Sequence, residues 1–194
     1  MTGQWDEADR LLDALVRSNA LEPGVAAQSR RMAYAENLKR RAEDDRGLLE
    51  YWKKIPSDFK LDPWVARAAA RAFMQRGGYD TALDVLEAAL GREWNEDLVA
   101  LYGEVRGSSP TRQIEQAEKW LHAQPRDAQL LLTLAQLCSV QQLWGKAQSY
   151  LEASLAIAAS AEGHIRMAEL KTQSGQPGEA CQHYQKALAL CRAE

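Results

Sequence analysis

One spacing recurs along this chain and limits what it can fold into. A glycine is followed five positions on by alanine, four further by a bulky apolar residue, and then by an Ala-Leu pair. Gly175, Ala180, Tyr184, Ala187 and Leu188 form the last copy, and Gly77, Ala82, Leu86, Ala89 and Leu90 an earlier one. Between them Gln142, Ala147, Leu151, Ser154 and Leu155 keep the spacing with glutamine in the glycine's place. Each copy is preceded by an apolar set: Ile165, Met167, Ala168 and Leu170; Leu131, Leu134, Ala135 and Cys138; Ala66, Ala69, Ala70 and Phe73. Two antiparallel helices approach closely where side chains are small, so alanine beside a bulky residue makes a hole and a knob. Each pair leaves one apolar face uncovered, and stacking the next pair buries it.

This helix-turn-helix unit resembles the tetratricopeptide repeat. Pro125 stands where that pattern places its helix-terminating proline, three residues before a unit opens at Ala128. A more divergent unit has Leu98, Leu101, Tyr102 and Val105 at helical spacing, a Gly107-Ser108-Ser109-Pro110 turn, and then Ile114, Ala117 and Leu121. Upstream, Ala26 to Glu43 reads as a long arginine-rich helix and Asp45 to Lys54 as its shorter partner, ended by Ile55-Pro56. Gly3, Ala8, Leu12 and Leu15 match the second helix of a repeat whose first helix is missing, so the chain reads as cut from a longer protein. The expectation is an all-α, right-handed superhelix of antiparallel helix pairs, about ten helices in one domain over 1–194. Residues 1–61 are its divergent start and 62–194 its four repeats.

With 24 Lys+Arg against 27 Asp+Glu, the formal charge of -3 provides no basic field for nucleic acid or anionic lipid. The weakly polar stretch from Leu151 to Ala161 falls short of the roughly 20 apolar residues that cross a bilayer. The N-terminus has no signal-peptide pattern. Cys138, Cys181 and Cys191 form no C-x-x-C pair, which argues against a disulfide framework or structural zinc and for burial as small apolar residues.

Particular strings go beyond the generic repeat: Tyr51-Trp52-Lys53-Lys54-Ile55-Pro56, Leu98-Val99-Ala100-Leu101-Tyr102-Gly103, Ala117-Glu118-Lys119-Trp120-Leu121, and Gln141 through Ala147 continuing to Leu155. Over most of residues 48 to 190 the chain resembles the HemY-type protohaem IX biogenesis proteins of proteobacteria. The resemblance implies two membrane helices N-terminal to this region and an anchor in the bacterial inner membrane. It further implies a scaffold or adaptor role beside tetrapyrrole-pathway enzymes, with no known reaction of its own. The membrane is then reached only through a segment missing here. No G-x-G-x-x-G dinucleotide motif occurs, as a flavin-dependent oxidase of that pathway would need.

No Ser, Cys or Lys has an activating frame such as G-x-S-x-G, so no catalytic residue is assigned. His164 and His183 fall on paired helices of one repeat and are the candidates for a haem or porphyrin site; no metal cluster is expected. Lys39-Arg40-Arg41 followed by Glu43-Asp44-Asp45 reads as a solvated face. A concave groove would be lined by first-helix residues beside the packed ones. These are Trp64, Arg67, Arg71 and Met74, then Val99 and Arg106, then Gln129, Leu132 and Gln136, then Ile165 and Glu169. Arg67 and Arg71 at i and i+4 suit a fork for carboxylates, or an exposed arginine ridge. Among the tryptophans, Trp52, Trp120 and Trp144 read as core, Trp5 and Trp94 as packed at helix junctions, and Trp64 as a contact residue. Three functions follow: a scaffold for haem-pathway proteins, a haem or porphyrin carrier, and a generic adaptor of an unrelated complex.

Overall fold

A computed structural model describes residues 22–43 and 47–192, which form helices and short connections with no strand among them. The helix expected over 3–16, Trp5, and the carboxylates Asp44 and Asp45 lie outside those residues. The chain divides into two compact units between Leu98 and Val99.

In the first unit α1 spans Pro23–Arg41, α2 Leu48–Lys54, α3 Ser57–Lys60, α4 Pro63–Gln75 and α5 Tyr79–Arg92. The basic run Lys39-Arg40-Arg41 falls in the last turn of α1, where it complements the negative end of the helix dipole. Asp62 opens α4 by accepting from Trp64 N at 3.1 Å, which satisfies an orphan N–H of the first turn. Val65, Ala66, Ala69, Ala70 and Phe73 on α4, with Ala82, Leu86 and Ala89 on α5, are buried as the repeat spacing requires. The long helix α1 packs chiefly on α4 and only slightly on α2, its expected partner. With seven residues, α2 is too short to cover a helix of 19. Aromatic contacts fill the gap: Tyr34 meets Phe59 edge-on at 5.1 Å, and Trp52 meets Phe73 at 6.2 Å. The one-turn α3, set between Pro56 and Pro63, is too brief to show a period and was not legible in sequence.

Helix α6, Glu96–Glu104, spans the division. The second unit continues with α7 Pro110–Ala123, α8 Ala128–Val140, α9 Trp144–Ile157, α10 Ala161–Gln173 and α11 Pro177–Cys191, making eleven helices among the described residues. Helix α8 packs against α7 and α9 and touches α10. It is therefore buried almost all round, from Leu130 through Ala135 and again at Leu137 and Cys138. Buried polar side chains tie the helices to one another. Gln113 donates to the carbonyls of Tyr102 (2.7 Å) and Val105 (3.2 Å) at the end of α6, Thr133 to Val99 O (3.1 Å), and Ser154 to Ala128 O (2.8 Å). Pro125 follows the end of α7, and Asp127 caps α8 by accepting from Leu130 N at 2.8 Å.

Three inter-helix turns share one backbone solution. Gly77, Gln142 and Gly175 have φ of 74°, 57° and 72°, and the next residue in each case donates to a carbonyl five positions back. The bonds are Gly78 N to Phe73 O, Leu143 N to Cys138 O and Gln176 N to Lys171 O, at 2.8 to 2.9 Å. This is the Schellman ending of a helix, and its left-handed residue is where glycine has no Cβ to clash.

Candidate partner-binding groove

In the first unit Trp64, Arg67, Arg71 and Met74 lie on one stripe of α4, since residues three and four apart share a helix face. Trp64 is 64% exposed because it sits beside the cap, ahead of the buried alanine run. Arg67 reaches Asp97 Oδ2 at 3.3 Å, an ion pair with both partners exposed and worth at most about 1 kcal/mol. Arg71 is exposed and Met74 half-buried. The two arginines therefore do not act as an equal fork, because Arg67 already has a carboxylate.

In the second unit a cleft of about 240 Å³ opens between α8 and α10. Ala135, Leu151 and Leu170 supply apolar lining, while Arg106, Gln136, Arg166, Glu169 and Gln173 line it with polar groups. Arg106 donates to the carbonyls of Gly103 (3.1 Å) and Glu104 (3.3 Å), finishing the C-terminal end of α6. Arg166 donates to Gln136 Oε1 at 3.3 Å and pairs with Glu162 (3.4 Å) and Glu169 (3.9 Å). The cleft thus unites Arg106, Gln136 and Glu169 of the expected groove, whereas Gln129 lies half-buried outside it.

Other placements differ from expectation. Val99 and Leu132 are core, 0% and 4% exposed: the Val99 carbonyl accepts from Thr133 of α8, and the helices packed around α8 leave Leu132 no open face. Ile165 is exposed, but Arg166 beside it is the residue that lines the cleft. Trp144 is 39% exposed, since it opens α9 one turn ahead of the buried stripe Ala147, Leu151 and Ser154. Trp52, Trp94 and Trp120 are half-buried, Trp120 against the Tyr102 ring at 4.8 Å. Cys138 is buried, which pushes its thiol up to about 11, but Cys181 and Cys191 are exposed rather than core. Arg166 and Gln173 were missed in sequence: they stand nine and two residues before Gly175, off the register of Arg71, Gln136 and Glu169, each of which is six before the left-handed residue of its turn.

The structure brings His164 and His183 together across α10 and α11, with their Nδ1 atoms 3.0 Å apart. The ring centroids are 5.2 Å apart, so the rings meet through these nitrogens instead of stacking. One imidazole must donate and the other accept. Burial holds both rings below the ordinary histidine range, with Lys186 adding to the effect and, at His183, also His164 and Lys171 against the opposing Glu179. A porphyrin does not fit between nitrogens this close, and no group of three or more metal-ligating residues forms among the described residues.

Solved structures share this arrangement of helices. A thermophilic TPR protein of Thermus thermophilus superposes with a TM-score of 0.58 at 19% identity, over 96% of this chain and 91% of that one. MamA from Desulfovibrio magneticus RS-1 gives 0.53 at 16% identity, over 84% and 96%, and a MamA from MSR-1 gives 0.51 at 18%, over 84% and 98%. The fold is of the tetratricopeptide type. At these identities the likeness concerns the fold alone. No family model matches the chain, and no curated protein matches it. No helix among the described residues is long and apolar enough to cross a membrane.

Proposed function

We propose that this chain is a non-catalytic scaffold that holds protein segments against the first-helix side of its repeats. The observation that carries this reading is the α8–α10 cleft. Its apolar lining at Ala135, Leu151 and Leu170 suits one inserted side chain, and its polar lining at Arg106, Gln136, Arg166 and Gln173 suits the backbone and carboxylates of an extended segment. In the first unit the exposed Trp64 and Arg71 offer the residue types that dominate contact energies. The HemY-like strings at Tyr51–Pro56 and Gln141–Leu155 support tetrapyrrole-pathway enzymes as the partners and an inner-membrane anchor for the full protein.

Affinity capture from the native membrane tests both levels. Enrichment of tetrapyrrole enzymes, lost when Gln173→Trp fills the cleft from an exposed lining position, is the expected result. Failure to enrich any of them removes the pathway assignment. Capture indifferent to both Gln173→Trp and Arg106→Glu removes the cleft.

A further inference from the structure

Among the described residues, the side chains of His164 and His183 hydrogen-bond only to one another. Their Nδ1 atoms converge from facing helices, α10 and α11, to 3.0 Å. The hydrogen bond needs a proton on one of the two Nδ1 atoms; with both protons on Nε2, two lone pairs face the same space and no donor stands between them. Unprotonated imidazole nitrogens brought together in this way are the start of a coordination shell. Both rings are half-buried, so water and ions reach them from one side.

We propose that Nδ1 of His164 and Nδ1 of His183 together hold one divalent transition-metal ion of the nickel–copper–zinc group, which clasps α11 to α10, with water in its remaining positions. Metal–imidazole bonds of about 2.0–2.1 Å to nitrogens 3.0 Å apart set the N–metal–N angle at about 95°. That is near the angle between neighbouring ligands of a tetragonal or octahedral ion and short of the tetrahedral angle of about 109°, so nickel(II) and copper(II) suit the spacing better than zinc(II). The ring centroids are 5.2 Å apart, so without the ion the nitrogens point almost along the line joining them. The ion sits to one side of that line, on the open side of the rings, and each ring tilts toward it about its side-chain bonds.

The surrounding charges select the class of ion. Lys186 and Lys171 act on the rings, and the carboxylate that also does so, Glu179, is already held by Lys171 at 2.9 Å. No third His, Cys, Asp or Glu joins the pair among the described residues, so the two nitrogens and not a negative field provide the affinity. Calcium and magnesium need several oxygen ligands, which the pair lacks, whereas neutral imidazole suits nickel, copper and zinc. The two ligands come from different helices, so the ion binds the folded pair in preference to the unfolded chain and stabilises it.

Calorimetric titration of nickel(II) into the full chain tests the site, in a Cys181→Ser, Cys191→Ser background that removes the exposed thiols as competing ligands. One ion per chain should bind and raise Tm, and calcium should do neither. His164→Gln and His183→Gln, which keep a hydrogen-bonding side chain and lose the ring nitrogen, should each weaken nickel binding about tenfold or more and abolish the rise in Tm. His122→Gln on α7, the remaining histidine of the chain, should leave both unchanged. Circular dichroism checks that each variant keeps its helices, and His183→Asn replaces any glutamine variant that does not. Nickel binding no tighter than that of the double His164→Gln, His183→Gln variant, full binding by either single variant, or calcium binding as tight as nickel overturns the proposal.

Discussion

Gln142 adopts φ 57° where the equivalent turns use Gly77 and Gly175, and the helix ending is otherwise the same in all three. A left-handed conformation costs a residue with a Cβ roughly 1–2 kcal/mol, part of which glycine gives back through its freer unfolded chain. Gln142→Gly should therefore stabilise the protein by about 0.5–1 kcal/mol, a rise in Tm of about 2 °C by calorimetry. Gly175→Ala should cost about 1 kcal/mol although a Cβ there meets nothing within 4 Å, because the penalty lies in the backbone. Opposite signs at the two positions are the expected outcome, and a destabilising Gln142→Gly would show that the glutamine side chain is needed at this turn.

Pairs of helices are where buried polar groups decide stability. Gln113 of α7 satisfies two carbonyls at the end of α6, so Gln113→Met, which keeps the volume and loses the donors, should cost about 1–3 kcal/mol in chemical denaturation. The α10–α11 pair contains His164 and His183, whose folded-state affinity for protons is lowered chiefly by burial. The unfolded chain then binds more protons than the folded one as pH falls below the ordinary histidine value of about 6.5. Their contribution is complete above that value and is lost as pH drops through the lowered folded values. Doubly protonated rings put a hydrogen on both Nδ1 atoms and end the 3.0 Å bond. Thermal melts between about pH 7.5 and pH 5 should show a loss of Tm that shrinks in a His164→Gln, His183→Gln double variant. An equal loss in that variant would assign the acid sensitivity to other groups.

For the molecule as a whole, the exposed arginines of α4 and the buried helix crossings can be altered separately. Arg67→Glu with Arg71→Glu reverses charge on α4 and gives up one exposed ion pair, so melting should shift by little more than about 1 kcal/mol in stability. If the α4 stripe contacts a partner, a desolvated charge contact there is worth about 2–5 kcal/mol and capture should collapse. Unchanged capture would place recognition elsewhere. Ala147→Trp, at a 0% exposed crossing of the second unit, should do the reverse and lower Tm by overfilling the core.

By itself the sequence determined the helices of the repeats, though not the one-turn α3, together with their pairing and the alanine crossings, because apolar periodicity and turn chemistry are local and recur with the repeat. Tertiary packing decided the rest. Leu132 became core because α8 is covered on nearly every side, and Trp144 stayed at the surface because it opens α9 one turn ahead of that helix's buried stripe. Likewise α1 packs chiefly on α4 and only slightly on the short α2 that follows it, since a longer apolar face finds the longer partner. The 3.0 Å meeting of His164 and His183 was decided the same way: sequence places them on paired helices, but only the rotation of α10 against α11 turns one nitrogen toward the other.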